Sequence, residues 1–122
     1  MIIDTNFVID LLRGRKDARE KLEELKQKRE PLIIPPGAVF ELKVGKPGDE
    51  EIDKILGNLS RADLTPEIEK EAAIIRRNLE ADGKPISSID YLIAGTARNL
   101  NEKLLSRDAH FGRVENLRIE RF

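Results

Sequence analysis

The apolar residues of this chain follow two kinds of pattern. Short apolar runs at residues 1–3, 32–34 and 103–106 are typical of buried strands. Longer segments repeat apolar residues at helical spacing, most regularly between residues 89 and 100. Because helices separate the strands, we predict an α/β fold with three α/β/α layers around a central parallel sheet. The C-terminal ends of such strands share one edge of the sheet, where these folds bind ligands.

The ends of the predicted elements are indicated by capping residues and by proline and glycine. Thr65 followed by Pro66 is a favourable helix start, and Ser87 or Ser88 caps the most regular helix. The apolar face of that helix comprises Ile89, Leu92, Ile93, Thr96, Ala97 and Leu100. Helices are also predicted at 7–12, 16–30 and 38–44. Gly14 ends the first of these, Pro31 ends the second, and Gly45 with Pro47 ends the third. Two more helices are predicted at 49–59 and from Pro66 to Gly83, where the glycine ends the helix. Two further strands are predicted at 62–64 and 117–122.

Length and composition restrict the possible chemistry. The 122 residues suit a single domain, 1–122. Cysteine is absent and His110 is the only histidine, which excludes disulfides, thiolate metal sites and histidine-rich zinc sites. The net charge of -1 argues against a general basic field for nucleic acid, although it permits a local basic rim.

The hydropathy pattern also bears on location. No stretch approaches the roughly 18 apolar residues of a membrane span. The start of the sequence has neither the basic segment nor the long apolar segment of a secretory signal. We therefore expect a cytoplasmic protein that does not bind membranes.

Four carboxylates occupy comparable places at the ends of the predicted strands. Asp4 follows the first strand, Glu41 lies in the short helix after the second, and Asp108 follows the 103–106 strand. Asp90 lies in the first turn of the most regular helix. Each alone could be a helix cap or a solvated charge. Together on one sheet edge they would repel each other, which is costly unless a multivalent cation lies among them.

The available residue types indicate which cation that is. With cysteine absent and a single histidine, the sequence implies an all-oxygen site, which suits Mg²⁺ or Mn²⁺. Carboxylate clusters that hold such ions commonly hydrolyse phosphodiesters. In the predicted mechanism Asp4, Asp90 and Asp108 hold the ion, with Glu41 at the rim or on a second ion.

Four sequence blocks carry a family resemblance. They are MIIDTNFVIDLLRG at 1–14, VFELKVG at 39–45, PISSIDYLIA at 85–94 and LLSRDAHF at 104–111. In this order they resemble the PIN domain, and specifically the VapC-type toxin nucleases. The resemblance covers nearly the whole chain, and its length also fits.

The resemblance implies an Mg²⁺- or Mn²⁺-dependent endoribonuclease that is the toxin of a toxin–antitoxin pair. It further implies a homodimer, and a small antitoxin whose tail occupies the active-site groove. The family's acidic metal-site positions match Asp4, Glu41, Asp90 and Asp108. Its accessory polar positions match Thr5, Asn6 and Ser106, of which the last is most often threonine in the family.

Several other residues near these blocks have open interpretations. Ala94 and Ala97 either let their helix pack closely on the sheet or are simply good helix formers. His110 could act as a general acid, but we interpret a lone histidine after a loop as structural and leave it out of the site. The basic residues that flank the acidic segments form a phosphate-holding rim or are solvated surface charges. They are Arg13, Arg15, Lys16, Arg107 and Arg113.

Two other classes of function remain open. One is a phosphoryl-transfer or receiver-like domain with an aspartate nucleophile. A dehalogenase-like site needs a second aspartate two residues after Asp4, where this chain has Asn6, and the receiver pattern of phosphoacceptor and lysine is missing. The other class is a PIN-like fold that binds without catalysis, against which the full set of four acids argues.

Overall fold

The predicted sheet is present in the computed structural model, which describes residues 1–45 and 48–122. The strands are β1 (Ile2–Ile3), β2 (Ile33–Ile34), β3 (Ser60–Arg61), β4 (Leu104–Leu105) and β5 (Ile119–Glu120). They pair in parallel in the order β3-β2-β1-β4-β5. The helices are α1 (Thr5–Leu12), α2 (Lys16–Gln27), α3 (Ala38–Val44), α4 (Asp49–Leu56), α5 (Pro66–Ala81) and α6 (Ser88–Asn99), and Ala109–Arg113 forms a 3₁₀ helix.

Helices cover both faces of this sheet. Successive strand residues point to opposite faces, so each face presents apolar side chains that a helix layer buries. Ile3 packs in a core with buried residues of α1, α2, α3 and α4. Its neighbour Ile2 packs in a second core with buried residues of α5 and α6. Leu105 and Leu104 divide between the two cores in the same way. The predicted three-layer α/β/α fold is confirmed.

The helix that carries Asp90 packs very closely on its neighbours. Ala94 and Ala97 are fully buried in the same core as Ile2. A Cβ atom on Gly95 would lie 2.8 Å from the backbone nitrogen of Ala72 in α5, so only glycine fits there. These small residues let α6 approach both the sheet and α5, which sets the position of its first turn.

The predicted capping residues of α5 and α6 are confirmed. The Thr65 hydroxyl oxygen accepts a 3.2 Å hydrogen bond from the backbone N–H of Ile68. Of the two candidate caps of α6, Ser87 is the N-cap, and its Oγ accepts from the backbone N–H of Asp90 at 3.2 Å.

Some predicted boundaries were wrong. The strand expected at 62–64 lies at Ser60–Arg61, because the backbone N–H groups of Ser60 and Ala62 donate to carbonyls of the β2 segment. The helix predicted to continue to residue 59 ends at Leu56. The helix predicted for 16–30 ends at Gln27, before Arg29 turns the chain with a φ of 53°.

Two further boundary predictions concern α6 and α3. Leu100 was assigned to the apolar face of α6, but it follows the last helical residue and is 43% exposed. Gly45 ends α3 as predicted. Pro47, predicted to help end that helix, lies outside the described residues. Within those residues we find no helix that is long and apolar enough to cross a membrane.

Candidate active site

The four sequence-predicted carboxylates meet at the C-terminal edge of the sheet. Asp4 directly follows β1, Glu41 lies in α3 after β2, Asp90 lies in the first turn of α6, and Asp108 follows β4. All four line one cavity of about 220 Å³. The other lining residues are Thr5, Asn6, Ile9 and Ser87. Sequence reasoning therefore located the acids correctly, but it did not identify Ile9 or Ser87 as their neighbours.

Asp4 is the most buried of the four acids, with 3% of its surface exposed. Burial raises the pKa of Asp4 to about 6, against the opposing effect of a hydrogen bond from Ser106. The negative charges of Asp90, Asp108 and Glu41 contribute smaller parts of this rise. A proton therefore binds Asp4 more tightly in the folded protein than in the unfolded chain, and a cation among the carboxylates would offset the repulsion.

Ser106 connects Asp4 to the segment that carries Asp108. The Ser106 hydroxyl donates to Oδ2 of Asp4 at 2.7 Å. Oγ of Ser106 also accepts a hydrogen bond from the backbone N–H of Asp108 at 3.0 Å. Ser106 is fully buried, so this bridge is shielded from water. The predicted accessory position thus fixes two of the acids relative to each other.

Glu41 is held by the residue that follows Asp4. The hydroxyl of Thr5, at the start of α1, donates to Oε1 of Glu41 at 2.7 Å. This hydrogen bond joins α1 to α3 across the cavity. Asn6 lines the cavity beside them.

Asp90 combines partial burial with a helix N-terminus. Burial raises the pKa of Asp90, while hydrogen bonding with Ser87 opposes that rise. The negative charge of Asp108 raises this pKa as well, and His110 lowers it. Asp90 therefore lies within electrostatic reach of both groups.

The 3₁₀ helix after Asp108 brings His110 into the site. Oδ1 of Asp108 accepts from the backbone N–H of His110 at 2.9 Å and lies 3.1 Å from Nδ1 of its ring. Ligand atoms of Asp90, Asp108 and His110 all lie within 4.8 Å of one another. We had interpreted His110 as structural and outside the site, and the structure places it among the acids. The tight turn that Asp108 caps is the signal that could have shown this.

The arrangement suits a divalent cation. Carboxylate oxygens from four different segments face one small cavity, and the pKa values of Asp4 and Asp90 are raised because negative charges are buried together. A bound cation offsets both the burial and the mutual repulsion. Asp4, Glu41, Asp90 and Asp108 could hold such an ion.

Most of the basic residues of the expected rim make contacts within the chain. Arg15 pairs with Asp17 at 2.8 Å, Lys16 lies 3.7 Å from Glu20, and Arg113 donates to the carbonyl of Pro85 at 2.9 Å. Arg107 pairs with Asp10, which is fully buried. Arg13 is exposed. The rim interpretation is therefore not supported for Arg107, whose charge is engaged in the fold.

Comparison with solved structures shows several with the same fold. A chain of VapBC2 from Rickettsia felis, bound to a DNA fragment from their promoter, superposes with a TM-score of 0.87 at 24% identity, covering 99% of this chain and 97% of the other. A chain of DNA-bound VapBC from Salmonella typhimurium superposes with a TM-score of 0.83 at 21% identity, and the match covers 98% of this chain and 96% of the other. A chain of FitAcB from Neisseria gonorrhoeae superposes with a TM-score of 0.73 at 21% identity, and the match covers 97% of this chain and 94% of the other.

No protein with a curated description matches this chain. A model of the family described as PIN domain matches residues 1–117. That match includes the whole of the four-carboxylate cavity. The chain therefore belongs to the PIN domain family.

Proposed function

We propose that this protein is an Mg²⁺- or Mn²⁺-dependent endoribonuclease, the VapC-type toxin of a toxin–antitoxin pair, with residues 1–122 as one nuclease domain. The observation that carries the proposal is the meeting of Asp4, Glu41, Asp90 and Asp108 in one cavity. Membership of the PIN domain family supports it. The structures with the same fold include VapBC complexes and one described as a toxin–antitoxin complex from Klebsiella pneumoniae, which support the toxin assignment.

Each polar residue of the cavity has a distinct role in this mechanism. When bound, a divalent cation activates water and stabilises the charge that develops on the phosphate. Asp4, Asp90 and Asp108 would hold the cation, and Glu41 would lie at the rim or serve a second ion. The Ser106 hydroxyl orients Asp4, and the Thr5 hydroxyl orients Glu41.

The cavity also restricts what can react there. Its volume of about 220 Å³ admits a phosphate group and several waters. The substrate would therefore present one phosphodiester of the RNA to the carboxylates, with the rest of the RNA outside the cavity. Asn6 lines the same cavity and can donate an amide hydrogen bond to a phosphate oxygen.

The VapBC complexes with the same fold support a proposal about the remaining partners. We propose a homodimer that a small cognate antitoxin silences in the cytoplasm by occupying the active-site groove. Co-expression with the antitoxin encoded beside the toxin gene, followed by native mass spectrometry, tests both associations. A monomeric toxin that binds no such protein would contradict them and leave the nuclease proposal unaffected.

Two asparagine substitutions test the nuclease proposal. Asp4→Asn and Asp90→Asn each remove one charge with almost no change of shape, and both should abolish RNA cleavage while the protein stays folded. Asp63→Asn is the matched control, because Asp63 is exposed and does not line the cavity. Cleavage of RNA by both cavity variants at the parent rate would refute the assignment. A parent protein that neither binds Mg²⁺ or Mn²⁺ nor cleaves RNA would favour a PIN fold that binds without catalysis.

A further inference from the structure

His110, which lies beside two acids of the cavity, has the geometry of a metal ligand. Two ligand atoms at right angles around an ion with bonds of roughly 2.1 Å lie about 3.0 Å apart. The ring nitrogen Nδ1 of His110 lies 3.1 Å from Oδ1 of Asp108. One cation could therefore contact both atoms after only a small adjustment.

Asp90 completes a three-residue group of the right size. Opposite ligands of such an ion are separated by roughly 4.2 Å. The ligand atoms of Asp90, Asp108 and His110 all lie within 4.8 Å of one another, so a small movement of the side chains would bring them around one ion. Asp90 is fixed by the Ser87 cap, and Asp108 is fixed by its hydrogen bonds to Ser106 and to the 3₁₀ turn.

The chemistry of the donor atoms determines which cation this group prefers. Mg²⁺ is a hard ion that prefers oxygen and keeps much of its water. Imidazole nitrogen suits transition metals better, and Mn²⁺ accepts it together with carboxylates. A nitrogen ligand therefore increases the preference for Mn²⁺ beyond that of a site of oxygen ligands alone.

We propose that His110 supplies a nitrogen ligand, with Asp90 and Asp108, to the divalent cation of this site, and that it makes the site bind Mn²⁺ more tightly than Mg²⁺. This inference rests on the proposed nuclease function, because it concerns the same cavity. It replaces the all-oxygen site expected from the sequence with a mixed one. The His110 side chain is 54% exposed, so its ring can turn towards an ion without repacking the core.

Metal titration of the purified protein tests the inference without any activity assay. Calorimetry at pH 8 with MnCl₂ and with MgCl₂ should show Mn²⁺ binding at least about tenfold more tightly to the parent. His110→Ala and His110→Asn should each lower the Mn²⁺ affinity about tenfold and change the Mg²⁺ affinity less than about threefold. Asparagine keeps a donor that can reach Asp108, so it controls for loss of the hydrogen bond alone.

Pulsed electron paramagnetic resonance gives a direct signature. Mn²⁺ bound to the parent should show coupling to a ligand nitrogen, and this coupling should be missing in both His110 variants. The inference would be overturned if the His110 variants lost affinity for Mn²⁺ and Mg²⁺ equally, or if they bound both ions as the parent does. A parent that shows no nitrogen coupling would overturn it too. Absence of Mn²⁺ binding by the parent would overturn it as well.

Asp90→Asn separates this inference from the proposed function. If that variant loses both ions while the His110 variants match the parent, only the role of His110 is refuted. If Asp90→Asn binds both ions as the parent does, the carboxylate site itself is refuted.

Discussion

The guanidinium group of Arg107 forms a two-point ion pair with the fully buried carboxylate of Asp10. Nη2 of Arg107 donates to Oδ1 at 3.0 Å, and Nε lies 3.0 Å from Oδ2, which accepts no hydrogen bond within the described residues. Arg107 stands between Ser106 and Asp108, so the pair ties the loop that carries two site residues to helix α1. The pair balances a charge that would otherwise be buried alone.

Arg107→Ala should destabilise the protein by about 2–3 kcal/mol. Removal of one partner of a fully buried pair costs roughly 3–5 kcal/mol, and the 37% exposure of Arg107 lets water reduce that penalty. Urea unfolding at pH 7 measures the change. The double variant Asp10→Asn/Arg107→Ala should recover part of the loss, because the unpaired buried charge is gone. If Arg107→Ala is as stable as the parent within about 0.5 kcal/mol, the pair does not stabilise the fold.

The raised pKa of Asp4 should make the metal-free protein sensitive to pH. Its pKa is about 6 in the folded protein and 3.8 ordinarily, so folding favours the protonated form. Asp4 therefore costs no stability below about pH 4, and its cost grows as pH rises through 6, to about 2–3 kcal/mol at pH 7. Asp4→Asn should be more stable than the parent by that amount at pH 7 and equal to it near pH 4. Urea unfolding with chelator at both pH values checks this, and a difference that is independent of pH would contradict it.

Comparison of the two proteins at each pH is necessary, because other carboxylates act in the opposite direction. Ion pairs lower the pKa values of Asp17, Glu24 and Glu120, so their contribution to stability is lost as the solution becomes acidic. That loss is the same in the parent and in Asp4→Asn. It cancels in the difference between them.

Added metal should stabilise the parent and leave the site variants unchanged. A ligand that binds only the folded state, at a hundred times its dissociation constant, raises the free energy of unfolding by about 2.7 kcal/mol. We expect Mn²⁺ to raise the Tm of the parent at pH 7.5, and to have no effect on Asp4→Asn/Asp90→Asn. Calorimetric scans with and without the ion measure this, and Ca²⁺ is a useful comparison ion. Equal Mn²⁺ shifts in the parent and the double variant would place the binding elsewhere.

Gly95→Ala should destabilise the protein although alanine favours helices. The added Cβ would lie 2.8 Å from the backbone nitrogen of Ala72, so α5 and α6 would have to move apart. We expect a steric cost of up to about 3 kcal/mol against a helical gain of about 1 kcal/mol, so the net change should be a loss of up to about 2 kcal/mol. Gly112→Ala is the control, since nothing lies within 4 Å of a Cβ there. Thermal unfolding that ranks the two variants equally would show that the helix pair tolerates the methyl group.

The fold and the positions of Asp4, Glu41 and Asp108 were predictable for a common physical reason. Parallel strands end at one edge, so residues that follow β1, β2 and β4 must lie near one another whatever the loops do. The same argument does not locate β3, whose two residues are exposed and have no apolar pattern. Its register depends on backbone hydrogen bonds to β2, which no side chain indicates.

Side-chain pairs that join distant segments were beyond sequence reasoning. Asp10 and Arg107 are 97 residues apart, and each alone reads as an ordinary surface charge. The position of His110 beside Asp108 was missed for a local reason, because only the possible cap at Asp108 indicates the 3₁₀ turn that directs its ring there. Both cases depend on where a backbone turns.

The hydrogen bond from Ser106 to Asp4 spans 102 residues of sequence. The cavity therefore does not exist in any chain that has not yet paired β1 with β4, however well its separate helices have formed. Such non-local closure is slow and occurs late, since it must overcome the entropy of a long loop. A nascent or partly folded chain would carry the carboxylates without the cavity, and any function that needs them together would begin only when the molecule as a whole had folded.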